Sequence, residues 1–176
     1  MLKSGTRITL LAAVAAAALA AGCTQMQKMP HMMGMAKPMP AADATALWNH
    51  LESVKYASSY KLYPGKSRMY AGTQPHGAFL TTYVNDAAHR ALSNDTKPLP
   101  VGSILVKENY MPDRKLAAVT VMYKVAGFDP QNNDWYWLKR DAAGKVEASG
   151  KVAGCIGCHK PSQRDYVLTP IGTRQY

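Results

Sequence analysis

Cysteine is scarce in this 176-residue chain: Cys23 stands alone, and Cys155 and Cys158 are separated by two residues. No second pair exists, which removes the ligands a four-coordinate zinc site would need beside the first. The chain also lacks a comfortable membrane span. Its N-terminal apolar run, Ile8 to Ala21, is about fourteen residues long, against the roughly 20 that a spanning helix uses. No internal repeat is visible, and the formal net charge of +10 is spread out rather than gathered into a dense basic cluster. Such a charge suits anionic lipids or an acidic redox partner, and without a binding motif it does not indicate nucleic acid.

The N-terminus reads as an export signal over residues 1–22, with Lys3 and Arg7 as its basic region. It closes on Leu19-Ala20-Ala21-Gly22-Cys23, which resembles a bacterial lipobox. The expected product begins at Cys23, lipidated and held to the membrane, with the outer membrane facing the periplasm as its location. An ordinary signal with a stray cysteine is the plainer alternative, but an unpaired exported thiol would be a liability. Loss of Lys3 and Arg7 lowers the net charge from +10 to +8. Residues 23–42 then form a tether in which Met26, Met29, Met32, Met33, Met35 and Met39 mix with His31, Pro30, Pro38 and Pro40. This composition fits a flexible linker, although thioethers and an imidazole would also suit copper(I).

The folded domain is expected from residue 43 to 176. Asp43 can cap a helix whose apolar positions Leu47, Leu51 and Val54 recur at helical spacing, with His50 on it as a surface or packing residue. Residues 60–78 are loop-rich. Phe79 to Val84 reads as a strand, Asn85 or Asp86 as the cap of a short helix through Leu92, and Val101 to Tyr110 as a second strand. Leu116 to Val125 alternates clearly. A further strand carries Trp135 and Trp137 on one face and Tyr136 and Leu138 on the other, and Asp141 to Gly144 turns back through Val146. The pattern describes an α+β fold: an antiparallel, β-rich domain with a few short helices.

Near its end the chain reads Cys155-Ile156-Gly157-Cys158-His159. Cys-x-x-Cys-His is the attachment signature of a c-type haem: two thiols form thioethers to one porphyrin, and the adjacent imidazole binds the iron. A thioredoxin-like dithiol would need a βαβ unit, which is missing here. The motif is C-terminal, and no methionine follows Met122. A sixth ligand of that type would have to be Met69, Met111 or Met122, so an open distal position is the simpler expectation.

Six short stretches occur in order: Pro75-His76-Gly77, Thr82-Tyr83-Val84-Asn85, Val106-Lys107-Glu108-Asn109-Tyr110, Met122-Tyr123-Lys124, Asn133-Asp134-Trp135-Tyr136-Trp137 and the terminal haem motif. Together, over about residues 45–170, they resemble the cytochrome P-460 family, which includes cytochrome c′-beta. The resemblance implies a β-rich, usually homodimeric domain with one covalent haem c and two functional branches. One branch oxidises hydroxylamine, with nitric oxide in some cases, and passes electrons to a redox protein. The other binds nitric oxide or carbon monoxide without that chemistry. Lys107 matches the lysine that bonds to the porphyrin in the first branch. Desolvation would make its amine nucleophilic, whereas the plainer role is a surface or propionate contact. Glu108 should face the other way. His76 is a candidate distal base or a turn histidine bonded to backbone. Phe79 could cap the distal side or belong to the core. Trp135 and Trp137 are expected in the core or a dimer interface, and Glu147 has only its closeness in sequence to the motif in its favour.

Overall fold

The computed structural model describes residues 38–73 and 75–170. The export signal, Cys23 and most of the methionine-rich tether lie outside these residues. Seven strands form one antiparallel sheet: β1 (Lys61–Leu62), β2 (Tyr70–Ala71), β3 (Phe79–Val84), β4 (Ile104–Tyr110), β5 (Leu116–Lys124), β6 (Trp135–Asp141) and β7 (Val146–Gly150). From β3 to β7 the strands pair in sequence order, while β1 and β2 both pair with β3. With its short helices this is an α+β fold.

The helices follow local chemistry. Asp43 accepts a hydrogen bond from the Ala46 amide at 2.9 Å and starts α1 (Ala44–Ser53). A single turn, α2 (Tyr56–Ser59), follows. Asn85 caps α3 (Asp86–Ser93) in the same way, and its amide also donates to the Gly102 carbonyl. The last helix, α4 (Ala153–His159), carries the haem motif. β4 starts at Ile104 rather than Val101, because Val101 and Gly102 turn the chain, with Gly102 at φ +85°. The segment after Asp129 is a 3-10 turn over Pro130–Asn132, closed by two left-handed residues, Asn133 and Asp134.

Strand alternation sorts the sheet into two faces. One buries Tyr83, Val106, Val121, Tyr136 and Leu138 against Leu47 and Leu51 of α1. The other buries Val84, Leu105, Met122, Trp135 and Trp137 against α3, α4 and the tail residues Tyr166 and Val167. Both tryptophans are therefore core, at 0% and 3% exposed. Because α4 covers only part of the second face, a partly open cavity of about 50 Å³ remains there.

Candidate functional site

Register explains which side chains meet in this cavity. Thr82 of β3 pairs with Lys107 of β4, and Lys107 with Thr120 of β5, so these three form a row across its wall. The neighbouring row, two residues along each strand, holds Leu105, Met122 and Trp137. Cys155 and His159 of α4 close the cavity from above, and His76 reaches it from the loop before β3. Lys107, His76, Cys155 and His159, far apart in sequence, thus share one enclosure. Cys158 is exposed and does not line it.

His159 is 7% exposed, and its Nδ1 lies 2.7 Å from the Tyr166 carbonyl oxygen. A carbonyl only accepts, so Nδ1 carries the proton and Nε2 keeps its lone pair. Burial lowers the affinity of this imidazole for a second proton, against the Tyr166 bond, which raises it. His76 is oriented by similar logic. Its Nδ1 lies 3.1 Å from Asn109 Oδ1. Asn109 is 2% exposed, and its Nδ2 donates to the Lys107 and Ala118 carbonyls at 3.0 and 3.1 Å, which fixes the amide's oxygen toward His76. His76 therefore donates from Nδ1 and keeps Nε2 free. Burial, then the charge of Lys107 and the competing protonation of His159, push its pKa down to about 4, so it is neutral at pH 7. The two imidazole rings stand perpendicular with centroids 6.0 Å apart.

Burial alone pushes the Lys107 amine down to about 8. Among the described residues it makes no ion pair with a carboxylate of the protein. Its neighbour Glu108 points to the other face and accepts from Tyr56 and Tyr110 at 2.9 and 2.6 Å. Of the three candidate methionines, only Met122 lines the cavity; Met111 is 51% exposed. Phe79 opens β3 between Ala71 of β2 and Tyr110 of β4, under the Arg114 guanidinium, and does not line the cavity. Glu147 is tied to Lys139 at 2.8 Å, also outside.

Sequence reasoning assigned no role to Asn109 or Tyr166. The alternation that separates Lys107 from Glu108 could have placed Asn109 beside Lys107, but nothing local marks it as the partner of His76.

The cavity's chemistry suits the haem expected from the motif. Its walls are mainly apolar, one buried imidazole presents an unprotonated nitrogen, and a cysteine at the rim lies one helical turn from another. The Trp137 indole N–H, buried against the His159 ring at 4.9 Å, has no hydrogen-bond partner among the described residues and is a donor awaiting an acceptor. No group of three or more metal-binding side chains occurs among those residues, so a protein-only metal cluster does not compete.

The sequence matches no curated protein. The family model described as Cytochrome P460 matches residues 56–169, a span that holds every strand of the sheet, α4 and the cavity residues. The chain belongs to the cytochrome P460 family.

Proposed function

We propose that this haem protein oxidises hydroxylamine, alone or with nitric oxide, at a covalent c-type haem. Cys155 and Cys158 would form the thioethers and His159 would bind the iron through Nε2. A haem held there would supply both a site for the substrate and an electron acceptor. The observation that carries this reading is the meeting of His76 and Lys107 in the cavity of His159, both shifted by burial toward their neutral forms.

His76, held by Asn109 with Nε2 free, accepts a proton from the substrate. Lys107 offers a desolvated amine for the porphyrin bond that the family resemblance implies. The apolar walls keep bulk water from the reacting groups. Electrons leave to another redox protein. Export, a lipid anchor on Cys23, a periplasmic location at the membrane and a homodimer belong to the same proposal.

A second reading, a cytochrome for electron transfer or nitric oxide binding, has its own observation. Metal–imidazole bonds of about 2 Å put two ring centres on one metal about 6 Å apart. The 6.0 Å between His76 and His159 meets that separation, and both free nitrogens are available. Two imidazoles on the iron would leave no open position.

Ferric and ferrous spectra of the matured protein, with intact mass and hydroxylamine turnover, separate the two. The enzyme reading expects a five-coordinate ferric haem, a ferrous band to the red of an ordinary c-type haem, and loss of that shift in Lys107→Ala. A six-coordinate ferric haem that opens in His76→Ala would establish the second reading instead.

A further inference from the structure

The Asp165 side chain is buried outside the cavity with four hydrogen-bond donors around it, and neither reading above uses it. Its Oδ2 accepts from the Leu99 amide at 2.8 Å and the Lys124 ammonium at 2.5 Å. Its Oδ1 accepts from Asn133 Nδ2 at 2.9 Å and Trp135 Nε1 at 3.3 Å, and the same indole donates to the Asp165 carbonyl at 3.0 Å. These donors come from the loop before β4, the end of β5, the turn before β6 and β6 itself. One carboxylate thus ties the tail to the second face of the sheet.

The backbone there is unusual. Asp165 and Tyr166 are consecutive left-handed residues, at φ +50° and +68°. Asp tolerates this region, but a bulky tyrosine rarely enters it unless its surroundings impose it. The carbonyl that this conformation presents is the one 2.7 Å from His159 Nδ1. A hydrogen bond to that nitrogen sets the ring's tautomer and orientation and raises the basicity of the other.

We propose that Asp165 is a positioning residue for His159: by gathering donors from four places in the fold, it holds the left-handed Asp165–Tyr166 pair that aims the Tyr166 carbonyl at His159 Nδ1. This rests on the reading of His159 as the iron's ligand. A firmly held carbonyl gives the imidazole more anionic character, which favours ferric over ferrous iron and stiffens the iron–histidine bond.

The test uses the matured haem protein and Asp165→Asn, which removes the charge and sets an NH₂ against the gathered donors. The expected result is an upward shift of the reduction midpoint potential. Where the ferrous haem is five-coordinate, resonance Raman should also show a lower iron–histidine stretching frequency. Tyr63→Phe is the control, because Tyr63 holds the same tail through the Thr169 carbonyl at 2.6 Å, and that hydrogen bond involves neither Asp165 nor Tyr166. Its potential should stay at the wild-type value. An equal shift in both variants would mean general loosening of the tail and would overturn the proposal, as would no shift in Asp165→Asn. If that variant fails to mature, Asn133→Gly removes one exposed donor while tolerating the local φ of +56°. It should shift the potential in the same direction by less, and an unmoved value there refutes the positioning role. Haem content by mass keeps the readings apart: wild type without covalent haem defeats the haem assignment itself, whereas haem present with unmoved potentials defeats only the role of Asp165.

Discussion

Replacing Lys124 with methionine should cost the domain about 3 kcal/mol. The Lys124 and Asp165 side chains are 7% and 2% exposed, with 2.5 Å between ammonium and carboxylate. Methionine keeps most of the lysine stem's packing but leaves the carboxylate buried without its cation. Removing one partner of a buried pair costs about 3–5 kcal/mol. The lower end applies here because Asp165 retains the donors from Leu99, Asn133 and Trp135. Loss of the ammonium over the Trp135 ring, 5.0 Å from its centroid, adds a smaller term. Against a typical total of about 5–15 kcal/mol, a loss of this size should be plain in urea denaturation at pH 7, and should lower Tm by roughly 10 °C. The double variant Lys124→Met/Asp165→Asn should recover part of it, since neither charge is then stranded, with a coupling of about 2 kcal/mol in the mutant cycle. A loss below about 1 kcal/mol, or a strictly additive cycle, would refute the view of this pair as a buried, mutually dependent unit.

Other outcomes follow from the same geometry. Lys107 has a folded pKa of about 8 against an ordinary 10.5, so in the haem-free chain its burial penalty is full below pH 8 and absent above 10.5. Lys107→Met should therefore stabilise haem-free protein by about 3 kcal/mol at pH 7 and progressively less as pH rises through that window; equal gains at pH 7 and pH 10.5 would contradict the shift. Asn109→Ala removes the acceptor that orients His76, and hydroxylamine turnover should fall about 10–100-fold with haem content unchanged. Full activity in that variant would remove His76 from the mechanism. Asp43→Ala unties the N-cap of α1 on the opposite face. It should cost about 1 kcal/mol in thermal unfolding and leave the haem spectrum as it was; a spectral change would show that the two faces are coupled.

Much of the secondary structure was legible because its causes are local. The caps at Asp43 and Asn85, the alternation from Leu116 and the split of Trp135 and Trp137 from Tyr136 and Leu138 all hold in the fold. The start of β4 was not, because Val101 has strand propensity while Gly102 and the Asn85 side chain impose a turn. Phe79 read as well for the distal side as for the core, yet at the start of β3 under Arg114 it joins neither the cavity lining nor either core cluster.

By itself the sequence determined most of the elements, though not the short β1 and β2 within the loop-rich residues 60–78, together with the haem motif and the kinship to a family, since each rests on spacing within a few residues or on an ordered set of short motifs. Only the tertiary structure decided that Lys107, His76 and His159 face one cavity. Strand register and the packing of α4 bring them together across as many as 83 positions, and no local pattern encodes such a meeting. The tautomers of the two histidines belong to that level too. Each depends on one distant acceptor, Asn109 Oδ1 or the Tyr166 carbonyl, and a hydrogen bond exists only once both of its ends are in place.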